Sequence, residues 1–327
     1  MNKNCITDID GISVGQVSDK SSLTGCTVVL LGDGAVCGVE VRGSAPGTRE
    51  TDLLNPKMSN ERVNAVLLSG GSAFGLAAAD GVMQYMEECG KGVDVGVVKV
   101  PIVTGAVIFD LLVGRSDIRP DKKMGYLACK NASQNKICEG NEGAGTGATV
   151  GKILGERSVM KSGIGSASVV LDNGLKVGAI VVVNAFGDIR DNVTGEILAG
   201  ALSTETNMPV DTEKFMIDNY DTICGSKNVF QNSRANTTIG VVATNAKLTK
   251  AQCSKLAEMA INGLIRVISP FGTSVDGDTV FGVSLGDKTA NLDFLGVLAS
   301  KAMSSAVINA VKAAEPIGHI EAYRKGI

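Results

Sequence analysis

At Thr237 the chain changes character, and no other stretch constrains its fold and chemistry as tightly. From about Val210 to Ala235, Asp, Asn, Ser and Lys interrupt every short apolar group, so no period of 2 or 3.6 survives and the segment reads as loop. From Thr238 to Thr244 a β-branched, apolar run bounded by Asn245 predicts a buried strand. A threonine at the head of such a strand has one special chemical use. If the bond before Thr237 is cut, its hydroxyl becomes a nucleophile that carries its own base. The new α-amino group has an ordinary pKa of about 7.7–8.0 and is partly neutral near pH 7. On local pattern alone, a loop followed by an ordinary core strand is the plainer reading, and the rest of the chain has to decide.

Composition narrows the chemistry. The 327 residues are 44% hydrophobic but only 4% aromatic, with 41 glycines and no tryptophan, so the core must be built from Val, Ile, Leu and Ala with close backbone approaches. A net charge of −3 with interspersed signs leaves no electrostatic footprint for nucleic acid. The N-terminal residues lack an apolar signal region, and no 18-residue uncharged apolar run stands at a plausible spanning position, so a cytoplasmic protein without a membrane partner is expected. Eight scattered cysteines without a Cys-x-x-Cys are expected to be reduced, buried small hydrophobes. His319 is the sole histidine, so any other hydrolytic base must come from elsewhere and a multi-histidine metal site cannot form within one chain.

Cys26 to Leu31, Gly32-Asp33-Gly34 and Val36 to Arg42 read as a hairpin. Asn64 to Leu68 is a short strand running into Ser69-Gly70-Gly71-Ser72, with a helix from Ala73 to Cys89 whose apolar stripe includes Phe74 and Cys89. That glycine turn lacks the Gly-x-Gly-x-x-Gly spacing and serves better as a tight strand-to-helix turn than as a nucleotide loop. Gly143 to Lys152 also fails the phosphate-loop pattern, yet reads as a backbone-exposing loop that ends in a lysine. Ser166 to Leu171 and Lys176 to Val183 flank Asp172-Asn173-Gly174, a strong hairpin signal. Asn184 follows that second arm, where its amide either forms a turn or completes an oxyanion hole. Thr249 to Gln252 is a capping box that opens a helix, and Leu292 to Ala314 is an Ala-rich helix. Between them, Asp276 and Asp278 share a face if the backbone is extended, and two such carboxylates repel unless a cation or proton lies between them.

Taken together these motifs resemble, over nearly the whole chain, the self-processing hydrolases of the L-aminopeptidase/D-esterase (DmpA-type) family, nearest its nylon-oligomer endo-hydrolase branch. The likeness is carried by Ile6 to Gly11, Leu68 to Leu76, the Gly143 to Lys152 loop, Val183-Asn184, Asn236 to Ile239, and Asp276 to Thr279. It implies an α/β fold, a four-layer αββα sandwich with an Ntn-hydrolase-like arrangement, made as one hydrolase domain of residues 1–327. The resemblance also implies self-cleavage at Asn236–Thr237 into an α chain, 1–236, and a β chain, 237–327, which associate further into a homotetramer. No cofactor or metal is implied. Carried over residue by residue, Thr237 is the nucleophile, Asn184 the oxyanion donor, Asp276 and Asp278 the acidic pair, and Lys152 the active-site lysine. Phe109 stands in the substrate pocket where branch relatives carry tyrosine, so a phenolic hydroxyl is missing there. The implied substrates are peptide or small-molecule amides. An acyltransferase of the ornithine-acetyltransferase type and an unprocessed, inactive homologue are the alternatives.

Overall fold

The computed structural model describes residues 2–225 and 236–324. Its centre is a nine-stranded ladder in the order Ile164–Val170, Lys176–Asn184, Thr237–Ala246, Thr279–Lys288, Thr24–Val41, Arg62–Ser69, Val103–Val107 and Thr48–Arg49, with Ser13–Asp19 paired to the first half of Thr24–Val41. The Thr237 and Thr279 strands run parallel, as do the Arg62 and Val103 strands, and the other pairs are antiparallel.

The period of two along these strands sorts their side chains into layers. On Lys176–Asn184, residues Val177, Ala179, Val181 and Val183 face a core shared with the Lys250–Ile265 and Leu292–Lys312 helices. Ile180 and Val182 face the other way, into a core shared with Ile239, Val241, Phe281, Val66, Leu68 and Ala106. Val28, Ala65 and Leu67 then face the Ala78–Glu88 and Lys122–Lys130 helices. Three apolar interfaces between four layers make the αββα sandwich that the resemblance implies.

One strand belongs to both sheets. The hairpin expected at Gly32-Asp33-Gly34 does not form: Thr24–Val41 is a single strand of 18 residues. Its first half pairs with Ser13–Asp19 and Arg62–Ser69, and its second half pairs with Thr279–Ser284. Gly32 and Gly34 take φ of 58° and 104°, the left-handed values a reverse turn would also need. Here they bend the strand from one sheet to the other, because its two halves pair with different strands and not with each other.

The Asn173-Gly174 hairpin forms as read, with Val170 opposite Lys176. The capping box is present too: Thr249 accepts from the Gln252 N–H, and the Gln252 side chain accepts from the Thr249 N–H. Leu292–Lys312 is long and apolar enough to cross a membrane by composition, with a mean hydropathy of 1.5. It instead packs on the sheet, with 67% of that window buried.

Other expectations need correction. Ser72–Ala77 is 3-10 helix and the α-helix begins at Ala78. Phe74 is consequently turned out of the core, 60% exposed, with the Arg119 guanidinium 3.9 Å above its ring. Cys89, Cys138 and Cys224 are exposed, while the other five cysteines are buried. The segment expected to be loop from Val210 contains the Thr212–Asp218 helix, capped by Asp211, and a turn of helix at Tyr220–Gly225. The remainder of that expectation, residues 226–235, lies outside the described residues.

Candidate active site

Antiparallel pairing sets Asn184 directly opposite Thr237, and parallel pairing sets Thr279 beside Ile239. The ends of three adjacent strands thereby bring Asn184, Thr237 and the Asp276–Asp278 turn to one place. Residues directly opposite on antiparallel strands have their Cβ atoms about 4.5–5.5 Å apart, so the Asn184 and Thr237 side chains are neighbours on one face.

The Thr237 side chain is 5% exposed, and its hydroxyl donates to the carbonyl oxygen of Asn236. The same oxygen accepts the Gly277 N–H at 3.1 Å. Only glycine fits between the two acidic residues, because a Cβ at 277 would stand 2.6 Å from the Ala45 oxygen and 2.9 Å from the Thr237 hydroxyl. The Arg42–Ala45 segment clamps this turn from outside. Arg42 and Gly43 donate to the Asp278 carbonyl at 2.9 and 3.1 Å, and Ala45 donates to the Asp276 carbonyl at 2.9 Å.

Both carboxylates are buried. Asp276 accepts from the Thr273 N–H and hydroxyl at 2.7 and 2.6 Å, and Asp278 accepts from the Thr238 N–H at 2.6 Å. Burial raises the pKa of Asp276, while the Thr273 hydrogen bonds and the Lys152 charge pull against it. Burial, and then the neighbouring Asp276, push Asp278 well above the usual carboxylate range. The cation that the acidic pair requires is thus supplied, and it acts on Asp276. At Asp278 burial works against the charged form more strongly than the hydrogen bonds from Thr238 and Gly272 support it.

Lys152 is 3% exposed and donates to Asn184 twice, to Oδ1 at 2.9 Å and to the backbone oxygen at 3.2 Å. Burial draws its pKa down to about 8, with Glu156, Asp276 and Asp110 opposing the shift. The Thr149 N–H donates to the same Asn184 Oδ1 at 3.1 Å. An ammonium and a peptide N–H can only donate, so the amide oxygen is assigned without ambiguity and Nδ2 is the outward donor. Nδ2 reaches the Phe109 carbonyl at 3.2 Å. Phe109 itself is half-buried and meets the site through its backbone carbonyl.

All seven residues named from the sequence are placed here. The Gly143–Lys152 loop departs from expectation, because it is buried throughout and does not expose its backbone to solvent. Sequence reasoning missed the Gly277 N–H, the Thr273 brace on Asp276 and the Thr149 N–H on Asn184. Only the first left a trace, a glycine set between two acids.

This αββα arrangement is shared with the L-aminopeptidase D-Ala-esterase/amidase of Ochrobactrum anthropi, a variant of the Ntn-hydrolase fold (TM-score 0.72, 19% identity, covering 100% of this chain and 91% of that one). The class is therefore that of Ntn-fold proteins. The model of Peptidase family S58 matches residues 4–324, and the chain belongs to that family of hydrolases. An uncharacterized aminopeptidase of Mycobacterium leprae is 43% identical over 98% of this chain and 93% of its own length. The 6-aminohexanoate-oligomer endohydrolase of a Kocuria species is 29% identical over 93% of this chain and 85% of its own length.

Proposed function

We propose that this peptidase-family hydrolase is a self-processing amidase of the aminopeptidase type. It is cut between Asn236 and Thr237 into chains 1–236 and 237–327 that stay together. Thr237 then serves as an N-terminal nucleophile toward amide bonds of peptides or small amides. The observation that carries this reading is the arrangement on the Asn236 carbonyl, which meets the Thr237 hydroxyl and the Gly277 N–H at once. A nucleophile and an oxyanion donor already converge on the bond to be cut.

In processing, the Thr237 Oγ attacks the Asn236 carbonyl carbon, and negative charge gathers on the oxygen held by Gly277. The C–N bond breaks, the hydroxyl proton passes to the departing nitrogen, and an ester replaces the amide. Water hydrolyses that ester, returning the hydroxyl and leaving a free α-amino group on Thr237. In turnover the amine takes the hydroxyl proton as Oγ attacks a substrate amide. Asn184 Nδ2 stabilises the oxyanion, the proton moves to the leaving amine, and water clears the acyl-enzyme. Asp278 lies where it can orient the new terminus, since it already binds the next N–H in the chain. Lys152 fixes the Asn184 amide and tempers the charge of Asp276. The relatives named as an aminopeptidase and an amide-oligomer hydrolase support an amide substrate.

Mass measurement and N-terminal sequencing of the purified protein test the reading. A small chain that begins at Thr237 is expected. A start at another residue, or a chain that stays whole while hydrolysing amides, overturns it.

A further inference from the structure

Lys161 is wholly buried, the largest side chain in that condition among the described residues, and takes no part in the chemistry above. It stands opposite Thr149 in the short Thr149–Val150 and Met160–Lys161 pairing. Its ammonium donates to three carbonyls: Gly145 at 3.0 Å, Ala148 at 2.9 Å, and Ser162. The Ala148 carbonyl and the Thr149 N–H are two ends of one peptide group. Lys161 holds the oxygen end, and the hydrogen end donates to Asn184 Oδ1. A peptide whose oxygen accepts from a cation is polarised in the sense that strengthens its own N–H as a donor.

We propose that Lys161 is a positioning residue for the hydrolytic reaction, acting through the Ala148–Thr149 peptide to fix and polarise the amide of Asn184. The inference rests on the oxyanion role proposed for Asn184. The Thr149 N–H and Lys152 Nζ together occupy Asn184 Oδ1, which leaves the amide no alternative orientation that keeps both bonds. Without the Lys161 ammonium, the Gly145 and Ala148 oxygens lose a buried donor, and the turn they belong to relaxes away from Asn184. A lysine that merely filled space would show no preference for Asn184 chemistry.

The test is a double-mutant cycle on processed enzyme, with Lys161→Met and Asn184→Ala alone and combined. Lys161→Met is expected to lower kcat by about 10- to 100-fold, the range known for partners that orient metal ligands from behind. KM is expected to stay unchanged, and in the Asn184→Ala background the lysine change should cost nothing further. If Asn184→Ala alone retains full kcat, the oxyanion reading has failed and this inference falls with it. If Asn184→Ala is slow but Lys161→Met loses the same factor in both backgrounds, this inference alone is overturned. Should the methionine variant fail to fold, Lys161→Gln keeps two N–H donors and carries the same cycle. Insolubility of both variants assigns the lysine to folding alone and overturns the proposal.

Discussion

The two ends of the Thr237 strand are built on opposite principles. At its far end the polar groups that close the strand are neutral and paired, and the lysines nearby (Lys176, Lys288) reach outward to Asp10 and the Asn173 carbonyl. The Thr244 hydroxyl donates to the Lys176 carbonyl at 2.9 Å, Asn245 bridges the Lys176 N–H and the Gly174 carbonyl, and the Ser284 hydroxyl joins the Ala246 carbonyl to the Leu248 N–H. At the near end, buried ionisable groups crowd together: Asp276, Asp278, Lys152, and behind them Lys161 and Asp110. Every one of these five is pushed toward its neutral form by burial. One end is arranged for stability, and the other gives up stability to hold ionisable groups where burial opposes their charge.

The comparison breaks most completely at Thr237. Thr237→Ala should remain one full-length chain on a denaturing gel and lack amidase activity, whereas Thr237→Ser should still be cut, because the attack needs a hydroxyl. Asn184→Ala should be processed enough to assay and turn over roughly 100- to 1,000-fold more slowly, the usual cost of one oxyanion donor. Steady-state kinetics with a small amide checks this, and unchanged kcat would remove Asn184 from the mechanism.

Asp278→Asn separates the two principles in one molecule. A carboxyl whose folded pKa lies above its unfolded value binds more protons folded than unfolded, so stability falls as pH rises from about 4 toward the raised value. The amide abolishes that loss. The variant should therefore lose activity, because the amide no longer orients the new terminus as the carboxyl does, while its Tm at neutral pH rises by roughly 2–4 °C. A lowered Tm would show that the charged form stabilises the fold. Lys152→Met should lower kcat by freeing the Asn184 amide and should also act on Asp276. Without the cation that carboxyl rises further, so the acidic limb of the kcat/KM profile should move to higher pH. A limb that stays in place separates Lys152 from Asp276. The smallest effect belongs to the far end. Ser284→Ala strands a buried N–H and a buried carbonyl, which costs about 1–3 kcal/mol in a denaturant titration and leaves kcat untouched.

Local signals at the far end were readable because they act over a few residues. The Asn173-Gly174 turn and the Thr249 capping box each specify their own hydrogen bonds. Gly32 and Gly34 were misread because a left-handed glycine marks a bend without naming the partners of the arms on either side. The Phe74 stripe failed for a similar reason: helical spacing presumed an α-turn of about 3.6 residues, and a 3-10 turn of about 3.0 residues sends the same positions to a different face. The placement of the seven site residues followed from ordered motifs, but their electrostatics did not. Lys161 looks like any lysine in a polar stretch, and Gly277 contributes a backbone N–H, which a one-letter code cannot display. The helix at Thr212 was hidden by its own polarity, since its N-terminus is held by Asp188 from a distant strand, at 2.7 Å to both the N–H and hydroxyl of Thr212.

The doubly shared strand and its neighbours also determine what a break at Asn236–Thr237 would mean mechanically. The smaller piece owns the Thr237 and Thr279 strands, which lie side by side in the middle of the ladder. Strands of the larger piece grip them on both flanks, Lys176–Asn184 on one and Thr24–Val41 on the other. Two such pieces would form a dovetail. Pulling them apart means stripping two ladders and opening two apolar cores together, so covalent continuity at residue 236 contributes little to cohesion, and a tag on either fragment would carry the other through purification.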